Sequence, residues 1–134
     1  MANPLFITIV IVAAILVYLQ NRKKYQSHFY ENLPTNQLYA ELVGLINSIL
    51  EYQNETSKFT FSGFEDHSDL LEKMANLKNE LKAHNPNAVF ELKEYFNING
   101  NFKQLADLNN WKIEYNKLYE RFFLIFETLE KREF

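Results

Sequence analysis

The chain opens on an unbroken apolar run from Leu5 to Leu19, in which Thr8 is the sole weakly polar residue before Tyr18. Fifteen helical residues rise roughly 22 Å, short of the roughly 30 Å hydrocarbon core of a bilayer. Residues 1–4 on one side and the stems of Arg22 and Lys23 on the other can close the gap in a slightly thinned membrane. The expected element is a single transmembrane helix with Leu5, Ile9, Val12, Leu16 and Leu19 among its anchor residues. A cleaved signal peptide places its positive charges before the apolar run, whereas here Arg22, Lys23 and Lys24 follow it. A core helix apolar on every face needs a larger protein around it than the rest of this chain provides. The same three basic residues act as topology determinants, because Lys and Arg flanks stay on the cytoplasmic side. The N-terminus is therefore expected outside and the remainder of the chain inside.

Beyond the basic triplet the apolar positions become periodic. Tyr25, Phe29 and Leu33 recur at helical spacing up to Pro34, so the anchor helix is expected to continue and stop there. Thr35 or Asn36 can cap a second helix, in which Leu38, Leu42, Leu45, Ile49 and Tyr52 form one row and Tyr39, Val43, Ile46 and Leu50 another. So wide an apolar face predicts a central helix, and Gly44 offers a point of close approach for a neighbour.

The helical pattern lapses between Asn54 and Asp66, where Phe59, Phe61 and Phe64 are separated by Thr60, Ser62 and Gly63. With no second strand candidate to pair with it, this segment reads as a loop. Its three Phe side chains either plug the end of the domain or form a docking surface. A third helix starts near Asp66 or Ser68 and carries Leu70, Met74, Leu77 and Leu81 on one stripe. Asn85 and Pro86 open a fourth, through Val89, Leu92 and Phe96, which the turn Asn97–Asn101 closes. In the last helix Leu108, Trp111, Tyr115, Leu118, Phe122, Ile125 and Leu129 follow one another in steps of three and four. Such a stripe can be a dimer seam, but large aromatics at seam positions fit packing within one chain better. On the opposite side Ile113 and Leu124 share a face and can extend an interface patch.

Composition narrows this picture without changing it. With 47% hydrophobic residues and 16% aromatic, the 134-residue chain can build one core, and its 3 Gly and 3 Pro leave too few turns for an all-β fold. The expectation is all-α: an N-terminal single transmembrane helix followed by a small antiparallel bundle of about four helices. The anchor and its basic flank take residues 1–24, a juxtamembrane extension 25–34 and the bundle 35–134. Abundant Asn, Lys, Ile, Phe and Tyr point to an AT-rich genome and nothing more. No Cys is present, which excludes disulfides and thiolate chemistry. Past residue 24 the chain carries 11 basic and 17 acidic side chains, an acidic balance that argues against a nucleic-acid partner.

Candidate chemistry is sparse. Glu65, Asp66, His67 and Asp69 gather three carboxylates and an imidazole at a helix start, the one constellation that suggests a small metal-using hydrolase. Capping and the helix dipole already explain acidic residues there, and none of the recognised metal, phosphate or nucleophile motifs occurs. No cofactor and no catalytic residue is expected. Asn54-Glu55-Thr56 matches a glycosylation acceptor, which matters only for a domain outside a eukaryotic cell. The reading is a non-enzymatic protein of a membrane, with a bacterial inner membrane as its expected place. Its partners are the lipid bilayer and another protein in or at the membrane, and a homo-oligomer is the weaker expectation. An accessory subunit, a scaffold and an immunity or inhibitor protein all fit, with Phe59, Phe61, Phe64, Ile113 and Leu124 as candidate contact residues.

Overall fold

The computed structural model describes residues 3–134, apart from the side chains of residues 22–27. Its elements are α1 (Pro4–Glu31), α2 (Thr35–Glu51), α3 (His67–Lys82), α4 (Pro86–Tyr95), α5 (Asn101–Asn109) and α6 (Lys112–Glu133). No strand occurs among the described residues. The chain divides into two compact units, residues 1–33 and 34–134.

The first unit is essentially α1. The Asn3 side chain accepts the Leu5 amide at 3.0 Å and Pro4 occupies the first turn, the usual chemistry of a helix start. Its apolar side chains, from Leu5 to Leu19, are solvent-exposed around the whole helix rather than along one stripe. The Thr8 hydroxyl donates to the Pro4 carbonyl at 3.0 Å, so the one hydroxyl in the apolar core of the run is satisfied within the helix. The 18 residues Pro4–Asn21 form a helix long and apolar enough to cross a membrane. Arg22, Lys23 and Lys24 lie on the same unbroken helix, with side chains outside the described residues. At its end Asn32 Nδ2 donates to the His28 carbonyl at 2.9 Å.

The second unit contains α2 to α6, with α2 packed against α3 and α6, α3 against α4, and α5 against α6. Leu38, Leu42, Leu45 and Ile49 of one row and Tyr39 and Ile46 of the other are buried, which makes α2 the hub its two rows predict. Tyr52 ends the first row exposed rather than buried, and Gly44 faces open space, so no neighbour uses the close approach it offers. The cap also differs from expectation. It falls on Pro34, already extended at φ −60° and ψ 151°, which makes Thr35 the first helical residue. The freed Thr35 hydroxyl accepts from Arg132 at 3.4 Å.

Leu70, Met74, Leu77 and Leu81 are buried along α3, as are Val89 and Leu92 along α4. The predicted last helix is two. Leu108, half-buried, belongs to α5, and Asn110 stands in the left-handed region at φ 63° between α5 and α6. From Trp111 onward the stripe holds, with Tyr115, Leu118, Phe122, Ile125 and Leu129 all buried within the unit, so these positions are not free to form a dimer seam. Rings dominate the centre: Phe96 stacks on Phe122 at 4.7 Å and meets Phe102 edge-on at 5.1 Å. Offset and edge-to-face pairs of this kind add to the area that the rings bury.

Candidate functional site

The segment between α2 and α3 is built residue by residue from local hydrogen bonds. It leaves α2 at Tyr52, whose ring stacks on Trp111 at 5.1 Å. Asn54 then closes a tight turn: its Oδ1 accepts the Thr56 amide at 2.8 Å and the Thr56 hydroxyl at 2.6 Å. The apparent glycosylation acceptor is thus the framework of this turn.

Residues 58–62 run alongside α5 and are held at both ends by its asparagines. Asn109, the last residue of α5, accepts the Lys58 amide at 2.7 Å and donates to the Lys58 carbonyl at 2.9 Å, as a neighbouring strand would. Asn101, the first residue of α5, donates to the Ser62 carbonyl at 2.6 Å. Gly63 makes the second clamp possible: at φ +85° it follows a path open to glycine, and a Cβ there would collide with the Asn101 amide.

Between the clamps, the Ser62 amide donates to the Phe59 carbonyl at 3.0 Å and closes a turn whose third residue is Phe61, at φ 60°. A positive φ at that place is the mark of a type II turn, which favours Gly or Asn there. A bulky aromatic in this conformation is an outlier. The Phe61 side chain gains nothing from the fold in return, being 92% exposed.

The three Phe residues therefore have three different environments. Phe64 is 4% exposed and stacks on Tyr95 at 5.6 Å. Tyr95 in turn stacks on Phe102 at 5.2 Å, so Phe64 continues the aromatic column of the core. Phe59 is half-buried, and Phe61 points to solvent. Ile98, in the turn before α5, is also exposed. Ile113 is 71% exposed on α6, while Leu124 is half-buried and contributes less to a patch than its wheel position implies.

The acidic constellation at the start of α3 resolves into a cap. Asp66 accepts the Asp69 amide at 2.8 Å, and the Asp69 carboxylate accepts the Glu65 amide at 3.0 Å and pairs with Lys73 at 3.1 Å. The Glu65 amide first, and then Lys73, hold the Asp69 carboxyl below the usual carboxylate range. Among the described residues, no group of three or more His, Asp or Glu side chains converges as metal ligands would. Lys73 also lies over the Phe64 ring, 5.5 Å from its centre.

Ile98, Asn101 and Asn109 have no place in the periodic reading of the sequence. The one signal for the clamps is an Asn at each end of α5, a residue type whose amide both donates to and accepts from backbone. No family model matches the chain, and no curated protein and no solved structure matches it either.

Proposed function

We propose that this chain is a non-enzymatic interaction protein anchored in a membrane by α1. The observation that carries the reading is the apolar stretch of α1 within Pro4–Asn21, exposed on every face where a soluble helix would bury at least one stripe. Water is a poor solvent for such a helix and lipid a good one, because its backbone groups and its Thr8 hydroxyl are satisfied internally. The Arg22, Lys23 and Lys24 cluster supports a cytoplasmic location for residues 35–134, arranged as a small antiparallel bundle. A bacterial inner membrane fits this topology. The role is that of an accessory subunit, a scaffold or an immunity or inhibitor protein, whose helical domain docks on a protein at the membrane. The alternative hydrolase centred on Glu65, Asp66, His67 and Asp69 has less support, since Asp66 and Asp69 are engaged in capping α3.

The test is extraction of native membranes at alkaline pH and at high salt, followed by protease treatment from either face. The chain is expected to stay with the membranes in both washes, with residues 35–134 digested only from the cytoplasmic side. Release by salt alone overturns the anchor, and digestion from the opposite face overturns the orientation.

A further inference from the structure

We propose that the turn bearing Phe61 is a docking anchor, and that its occupant is a protein surface with an apolar pocket bordered by Lys or Arg side chains. The inference rests on the interaction reading above and names where the partner binds and what it looks like. Burial contributes nothing to keeping a Phe here, for the ring is 92% exposed, and the backbone at φ 60° favours Gly or Asn. A residue that is costly to the fold at its position is accounted for by what it touches outside the fold.

The turn is also rigid. The Asn109 pair on Lys58, the Asn101 bond to Ser62 and the Ser62 hydroxyl, which donates to the Phe59 carbonyl at 2.7 Å and accepts the Phe64 amide at 3.2 Å, fix the backbone on both sides of Phe61. Little ordering remains for binding to impose, and an aromatic side chain that fills a partner's pocket is a common anchor of interface energy.

Charge selects the occupant. The segment from residue 51 to 69 carries Glu51, Glu55, Glu65, Asp66 and Asp69 against Lys58, and of these acids Asp69 is already paired with Lys73. These carboxylates flank the turn in sequence, and an acidic border of this kind disfavours anionic lipid headgroups and phosphate backbones. It also disfavours a second copy meeting the same carboxylates across a symmetric contact. A pocket with a basic rim satisfies both the ring and its border.

The experiment places the photoreactive benzoylphenylalanine at position 61 of the full-length chain in its own membrane, with position 113 as a second site. The expected result is a crosslink from position 61 to a discrete protein other than itself. Its yield should fall by about tenfold or more when Glu55→Lys and Glu65→Lys reverse the border. Both are exposed side chains, so unchanged helical circular dichroism and urea midpoint are expected alongside. A crosslink from position 61 to lipid, to a second copy, or to a protein indifferent to the charge reversal overturns the proposal. Protein crosslinks from position 113 alone overturn it too but leave the interaction reading standing, whereas none from either site overturns both.

Discussion

The Tyr39 hydroxyl donates to the Glu133 carboxylate at 3.1 Å and joins the second turn of α2 to the last residue of α6. Arg121 meets Glu41 at 3.3 Å farther along, and at the other end Tyr52 stacks on Trp111, so α2 and α6 run antiparallel over their shared length. Burial, then the hydrogen bond and negative charge of Glu133, push the Tyr39 hydroxyl up to about 12 from its ordinary 10.0. The folded chain thus keeps this proton over a range in which the unfolded chain releases it, and stability is lost as pH rises from about 10 to about 12. Tyr39→Phe is expected to cost about 0.5–1.5 kcal/mol at neutral pH, through the missing hydrogen bond. That cost should shrink across the alkaline window, because Phe has no proton to lose. Urea unfolding of residues 34–134 at stepped pH checks both; a cost that grows with pH contradicts the assignment.

Phe61 and Phe64, three residues apart, should respond in opposite ways. Phe64→Ala removes a buried ring from the aromatic column and should cost about 3–5 kcal/mol. Phe61→Gly removes an exposed ring from a left-handed position, where an L-residue costs roughly 1–2 kcal/mol and glycine's added chain entropy roughly 0.5–1. The net expectation is a stability unchanged or raised by up to about 1.5 kcal/mol. Equal losses at both positions would show that Phe61 is a packing residue after all.

Strapping the loop to α5 has its own consequence. Asn109→Ala deletes both bonds to Lys58 and should cost about 1–3 kcal/mol, while Gly63→Ala forces a Cβ against Asn101 in a backbone region unsuited to it. Amide exchange at residues 58–64 should accelerate in each variant while α3 and α6 stay protected. Global loss of protection would mean that the loop and the core unfold as one.

Much of this architecture is legible in the sequence because burial imposes a period. The spacing of Leu70, Met74, Leu77 and Leu81 marks one helical face, and so does that of Trp111 to Leu129, since each set must reach the same core. The wide face of α2 is legible as a hub for the same reason. The loop is not, because its hydrogen bonds join residues 51 and 39 positions apart and leave no period behind. Three Phe residues at near-alternating positions look equivalent in sequence. Only the clamp by Asn101 and the turn at Ser62 send Phe64 inward and Phe61 out.

The break between α5 and α6 is hidden for a different reason: the step from Leu108 to Trp111 keeps the helical spacing although the helix does not continue. Asn110 makes the break by entering the left-handed region at φ 63°, from which its amide donates to the Ala106 carbonyl, and the Trp111 amide donates to the same acceptor at 3.1 Å. Asn tolerates this conformation better than other non-glycine residues and glycine tolerates it best. Asn110→Gly should therefore leave stability level or raise it by a few tenths of a kcal/mol, while Asn110→Ala should lower it by about 1 kcal/mol. If α5 and α6 instead prefer to fuse, Ala as the better helix former would stabilise and Gly would destabilise by about 1 kcal/mol. The two outcomes differ in sign, so one pair of urea midpoints separates a built corner from an accidental one. A fused helix would also carry Asn101 and Asn109 away from residues 58–62 and release the turn that presents Phe61.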